Sequence, residues 1–181
     1  MNPFEGELVR LTQLQRDDLP LFRQWFRDYE FFRLLVPETA VPITDEAEDE
    51  WYERAVRGKE NFFFAIRLLA DGRLIGSCGL FDISPKNRYA TFGIAIGDKD
   101  CWGKGFGTDA TQVLLRFAFQ ELNLNRVQLE VFAFNQRAVR AYEKIGFVHE
   151  GVRRQALFRE GRYHDVLLMA ILCEEWFARQ G

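Results

Sequence analysis

The sequence predicts an α+β fold built on a mixed, mostly antiparallel sheet of about seven strands flanked by helices. Three observations carry that prediction. Residues 61–96 read as a three-stranded meander, with an Asp71-Gly72 turn between the first two strands and SPKN between the next two. A helix, a strand and a second helix follow, and two more strands close the pattern around Glu160-Gly161. Strand and helix do not alternate throughout, which weighs against a doubly wound parallel sheet. The 181 residues, 48% of them hydrophobic, suit one domain over 1–181 with a real core.

Each element has a local reason. ELVRLTQL, 7–14, alternates as a strand does. Leu19, Phe22, Trp25 and Phe26 then share one helical face. Residues 30–43, with aromatics and two prolines, read as an irregular loop. TDEAEDEWYERAV, 44–56, opens on Thr44 as an N-cap, and acids crowd its first turn, where the helix dipole favours them. NFFFAIRL (61–68), RLIGSCGLFDI (73–83) and RYATFGIAI (88–96) are the meander strands. A helix over about 106–121 buries Ala110, Val113, Leu114, Phe117 and Ala118 at i, i+3, i+4, i+7 and i+8. RVQLEVFAF, 126–134, is a strand, and NQRAVRAYEKIGF, 135–147, is a helix stopped by Gly146. The last two strands span about 148–158 and 163–172.

Composition removes several function classes. Net charge is −3, without the basic field of a nucleic-acid binder. No apolar run is long enough to span a membrane, and the first residues lack the pattern of a secretory signal. Cys78, Cys101 and Cys173 are scattered, with no CxxC, which points to free thiols in a reducing, cytoplasmic setting. Two histidines and no HExxH or cysteine cluster argue against a metal site.

The segment CWGKGFGTDATQVLLRFAF, 101–119, carries the chemistry. Gly103, Gly105 and Gly107 run into a helix start, where unpaired N–H groups and the helix dipole attract phosphate. Thr108 adds a hydroxyl, and Lys104 offers a charge to a second phosphate. A Rossmann fingerprint requires glycine at 108, which is Thr, and no P-loop match exists. Taken alone, the turn fits either a phosphate cradle or a plain connector. In the second segment Asn135, Ala138 and Tyr142 share a helical face. Asn135 suits a cap or a ligand amide, and Tyr142 is the ionisable group of that face.

Together the two segments resemble the GNAT superfamily of acetyl-CoA-dependent N-acetyltransferases. The family's pyrophosphate loop, Gln/Arg-x-x-Gly-x-Gly/Ala, falls on Trp102 to Gly107. Gly105 and Gly107 match, and Trp102 departs from the first position. The segment N-x-x-A-x-x-x-Y-x-K-x-GF is similar to the second family signature. WGKGxGT and the closing GRYHDVLLMAIL resemble the branch holding ribosomal-protein alanine and spermidine N-acetyltransferases.

The resemblance implies the GNAT fold, with a wedge between the fourth and fifth strands that takes the pantetheine arm of acetyl-CoA. It implies that main-chain groups of Ile94, Ala95 and Ile96 pair with that arm. The backbone of Gly103, Lys104, Gly105, Phe106, Gly107 and Thr108 would hold the pyrophosphate, and Asn135 and Ala138 would contact the pantetheine. Tyr142 would be the general acid. The acceptor would be a small-molecule, peptide or protein amine. A homodimer is the commonest assembly to expect.

Many relatives place a glutamate on the strand before the glycine turn, where this chain has Thr91, Phe92 and Gly93. Ordered water, Glu30, Asp82 and Glu130 are the stand-ins. A site without an evident base leans toward an α-amine, at about pKa 7.8, over a lysine-like amine at about 10.4. Polyamine or aminoglycoside-type acceptors, and a non-catalytic acyl-CoA-binding module, are the alternatives. The aromatic segment 29–42 is placed to line an acceptor pocket.

Overall fold

The strands form where side chains alternate between two cores. In this computed structural model, which describes residues 2–39, 41, 43–57 and 61–180, seven strands lie in one sheet. They are β1 (Val9–Thr12), β2 (Phe62–Leu68), β3 (Leu74–Ser84), β4 (Tyr89–Ile96), β5 (Arg126–Phe132), β6 (Val148–Arg159) and β7 (Arg162–Leu172). The spatial order is β1-β2-β3-β4-β5-β7-β6. Every neighbouring pair is antiparallel except β4 and β5, which are parallel. Parallel neighbours need a crossover, and the glycine turn and the helix after it supply that crossover.

Among the described residues six α-helices flank the sheet: α1 (Leu19–Phe26), α2 (Tyr29–Leu35), α3 (Asp45–Arg57), α4 (Phe106–Arg116), α5 (Gln136–Ile145) and α6 (Cys173–Ala178). Ala65 and Ile66, adjacent on β2, enter different cores, as a period of two requires. Ile66 joins the larger core with Leu114, Val127, Ile171 and the stripe of α4. Ala65 joins an aromatic core of Phe22, Trp25 and Phe31, with Trp51 packed against it.

Three elements depart from the sequence reading. The segment expected to be loop contains α2. Asp28 caps it, accepting the Phe31 N–H at 3.3 Å, and Phe31 and Phe32 are buried beneath it. That cap and that burial outweigh the crowding of aromatics. The helix expected over 106–121 is α-helical to Arg116 and closes as a π-helical turn, Phe117–Glu121. The chain also ends in α6, where Glu175 accepts the Leu172 N–H at 2.8 Å and Trp176 is buried.

One contact fixes the crossover helix to the edge of the sheet. Asp109, in the first turn of α4, accepts the backbone N–H groups of Glu7, Leu8 and Val9 at 3.0, 2.8 and 2.9 Å. The approach is close: the Asp109 carboxylate leaves no room for a Cβ on Gly6. Arg116, at the other end of α4, donates to the carbonyls of Pro3 and Glu5. Replacing Asp109 with Ala leaves three donors unmatched. The expected cost is about 2 kcal/mol, seen as a lower midpoint in urea denaturation with an unchanged slope.

Candidate active site

The site begins where two strands part. β4 and β5 pair at Tyr89 with Arg126, Ala90 with Val127 and Thr91 with Gln128, and no further. From Phe92 to Ile96, β4 keeps its ladder with β3, while its other edge faces a cleft of about 1010 Å³. Backbone groups on that edge lack a strand partner, so they are free to bind an extended ligand.

The residues predicted from the sequence are distributed around this cleft. Ile94, Ala95 and Ile96 line it along β4. Gly103, Gly105, Gly107 and Thr108 line one end, and Asn135, Ala138 and Tyr142 of α5 line the facing wall. Lys104 and Phe106 are not on its wall. The Lys104 residue is exposed, and Phe106 packs toward the larger core. The acceptor segment contributes Phe31, Leu34, Leu35 and Pro37.

The glycine turn is built for close approach. Gly103 and Gly105 have φ of 72° and 90°, left-handed values that L side chains rarely adopt. No atom lies within 4 Å of a Cβ built at Gly103, so conformation rather than crowding calls for glycine there. Gly105 is also the N-cap of α4 and has no side chain to satisfy the helix donors. The first-turn N–H groups are therefore available to an anion.

Trp102 organises this end. Its indole N–H donates to the Ile96 carbonyl at 2.7 Å, which occupies one of the two lone pairs on that oxygen. The Arg137 guanidinium lies 3.7 Å from the indole centroid, a cation–π stack. Desolvation pulls the Arg137 pKa down, and Glu30 opposes that shift. Sequence reading missed this pair. The signal was there, since Arg137 lies two residues after Asn135 in the second segment.

Asn135 is the N-cap of α5, accepting the Ala138 N–H at 3.3 Å. Gly146, at φ 118°, ends the helix, and its N–H reaches the Tyr142 carbonyl at 3.0 Å. Tyr142 packs its ring on Phe92 and Phe147, with centroids 6.0 and 5.7 Å away. Desolvation pushes its phenol pKa well above the ordinary value, so the group holds its proton. Burial alone accounts for that shift, with no hydrogen bond from another described residue contributing to it.

The three stand-in carboxylates differ. Glu30 accepts from Lys99 at 2.6 Å. Glu130 is ion-paired with Arg153. Asp82 lines the cleft and has no cationic partner among the described residues. Cys101, beside the turn, is buried, and desolvation raises its pKa, the opposite of an activated thiol. His149 contacts Glu143 at 2.8 Å, and His164 packs on Phe134.

A family model described as an acetyltransferase (GNAT) domain matches residues 9–148. The chain belongs to the GNAT acetyltransferase family. Members of that family draw an acetyl group from acetyl-CoA, and this enzyme is an acetyl-CoA-dependent N-acetyltransferase. It is 36% identical over 182 residues to a spermidine N(1)-acetyltransferase of Vibrio cholerae, covering 94% of this chain and 96% of that one. It is 30% identical over 177 residues to the uncharacterized, SPbeta prophage-derived N-acetyltransferase YokL of Bacillus subtilis, covering 97% and 96%. The crystal structure of spermidine N-acetyltransferase from Vibrio cholerae in complex with CoA and spermine superimposes with a TM-score of 0.84. The identity is 29%, over 93% of this chain and 98% of that one.

The cleft fits acetyl-CoA chemically, with an open strand edge for an amide-bearing arm and helix-start donors for phosphates. Among the described residues no helix is long and apolar enough to cross a membrane.

Arg137 is a cation beside those donors. Its replacement by Ala is expected to raise KM for acetyl-CoA roughly 3- to 10-fold, the size of a part-exposed charge contact of about 1 kcal/mol. Steady-state kinetics with acetyl-CoA varied check this. Trp102→Leu, which removes the surface under Arg137, should move the same constant in the same direction.

Proposed function

We propose that the enzyme acetylates a primary amine by direct attack on the thioester of acetyl-CoA, with Tyr142 as general acid. One observation carries the reading. Tyr142 lines the cleft with a protonated phenol that no other described residue engages. The sulfur leaving the tetrahedral intermediate becomes basic enough to take that proton. Backbone N–H groups of Gly103–Thr108 hold the pyrophosphate, and the open edge of Ile94–Ile96 pairs with the pantetheine arm and polarises the carbonyl. The amide of Asn135, its oxygen already capping α5, offers its N–H groups to that arm, which passes Ala138 on the same face.

Two acceptor classes follow from different observations. β4 presents no carboxylate at Thr91–Gly93. Neutralising a lysine-like amine at pH 7 costs roughly 4.6 kcal/mol, against ~1 kcal/mol for an α-amine. This supports an α-amine of an amino acid, peptide or protein N-terminus. Similarity to spermidine N-acetyltransferases supports a polyamine. Thiol release from acetyl-CoA, screened over amino acids, peptides, polyamines and aminoglycosides, decides between them. CoA binding without transfer to any amine would replace the reading with a non-catalytic acyl-CoA-binding module.

Tyr142→Phe is expected to lower kcat ~10²-fold with little change in CoA affinity. The kinetics, beside a CoA binding isotherm, check this; unchanged turnover would remove Tyr142 from the chemistry. The pH dependence follows from the sign of the shift. A raised phenol pKa keeps the acid form populated past the ordinary value, so the alkaline fall in kcat should begin above about pH 10. A kcat profile at saturating substrates locates that limb.

A further inference from the structure

The β4–β5 ladder ends on a polar pair. Thr91 and Gln128 are the last residues to pair across it, and both line the cleft. The Gln128 Nε2–H donates to Thr91 Oγ1 at 3.5 Å. Arg126 fixes which way that amide faces, its Nε–H donating to the Gln128 Oε1 at 3.3 Å. Arg126 is held in turn by both carboxylate oxygens of Glu150. Glu150 reaches it from a bulge, since the β6–β7 register shifts between His149 and Gly151 and leaves Glu150 without an opposite residue. The guanidinium holds the Glu150 carboxyl below its ordinary pKa, so the pair stays charged at neutral pH.

This order of donors makes Thr91 Oγ1 an acceptor. A hydroxyl oxygen has two lone pairs; one takes the Gln128 N–H, and the other can take an N–H from the cleft. Alternation places that oxygen. Phe92 turns its ring to Tyr142, so Thr91, one residue earlier, is on the other face of β4 with Gly93. Tyr142 and Thr91 thus flank the opening from opposite faces. A planar thioester lying between the strands is open to attack from one face and to proton transfer from the other. Asp82 is the carboxylate beside this apex, in a β3 bulge directly after Phe81, the partner of Thr91.

Resting on the acetyltransfer reading, we propose that Thr91 is a catalytic residue and Gln128 its positioning residue. The Thr91 oxygen accepts one N–H of the attacking amine and aims the nitrogen lone pair at the thioester carbon. The C–N bond forms, the C–S bond breaks, and Tyr142 gives its proton to the sulfur. The proton shed by the nitrogen leaves to solvent, from which Tyr142 is reprotonated. Thr91 removes no proton at any step; it contributes orientation alone, whichever amine is the acceptor.

The test follows thiol release from acetyl-CoA, with spermidine or a short peptide bearing a free α-amine as acceptor, whichever the wild type turns over. Thr91→Val, close in shape and suited to a strand, should lower kcat roughly 3- to 10-fold, the size of one hydrogen bond, with KM for acetyl-CoA unmoved. Thr91→Ser, which keeps the hydroxyl, should recover most of that loss. Gln128→Leu should lower kcat in the same direction, and joining it to Thr91→Val should slow the enzyme no further than Thr91→Val alone. Melting curves verify that the variants are folded. Unchanged turnover in Thr91→Val, or a Thr91→Ser enzyme just as slow, overturns the role of the hydroxyl. A double variant slower than Thr91→Val overturns the role of Gln128. A folded wild type that binds CoA and turns over neither acceptor, nor any other amine, overturns the acetyltransfer reading, and this proposal with it.

Discussion

The parting of β4 from β5 is the constraint on which the rest of the site depends. A parallel pair that stopped nowhere would bury both strand edges in hydrogen bonds and leave no room for a ligand. Here pairing ends at Thr91 and Gln128, and the aromatic rings of Phe92 and Tyr142 meet edge to face as α5 packs across the gap. The opening brings two kinds of unmatched backbone group to one cavity, the free edge of β4 and the first turn of α4. Both are costly to bury dry, so both are poised to exchange water for a polar ligand.

Trp102 ties those two parts together. Its indole bridges back to Ile96 while its face carries Arg137, so a single side chain links the strand edge, the glycine turn and α5. Lys99, 5.8 Å from the same ring, extends the link to α2 through Asp28 and Glu30. The Lys99 ammonium beside Asp28 holds that carboxyl below its ordinary pKa. The far side of this segment is fastened too. Arg33 pairs with Glu160 at the β6–β7 turn, and buried Arg159 donates to the carbonyls of Val36 and Glu38. The apolar wall of Phe31, Leu34 and Leu35 is therefore held from both ends. The exposed ion pairs among these are individually weak, and it is the number of contacts, with buried Arg159 among them, that fixes the segment.

Much of this was legible in the sequence where one local rule acted alone. The glycine turn, the Asn135 cap and the Gly146 stop are short-range features, and the structure shows each in place. The meander followed from alternation and turn residues. The sheet order and the stopping of the β4–β5 ladder are tertiary facts, and the family resemblance rather than periodicity implied the wedge. α2 was missed because its seven residues are too few for a helical period to stand out from an aromatic cluster, although Asp28 was the visible cap. Arg137 was passed over because stacking on Trp102 joins residues from two segments. Asp82 stood among three carboxylates that sequence could not rank, and their partners separate them only in three dimensions.

The separation of acid from anion has a chemical logic. Tyr142 lies on the α5 wall against Phe92 and Phe147, where burial raises its pKa and keeps the proton on the oxygen. An unpaired carboxylate beside it would raise that pKa further and compete to accept the proton. It would also repel a departing thiolate. The apex carboxylate instead stands apart from Tyr142, which keeps an apolar setting, and from the cations of α5 on the other wall. The mixed sheet makes this possible, since the bulge in β3 and the helix after β5 approach the opening from opposite sides of β4. Neither needs to be moved to tune the other. Changes at the β3 bulge and α2 can therefore alter one side of the cleft while β4, the glycine turn and α5 keep their places.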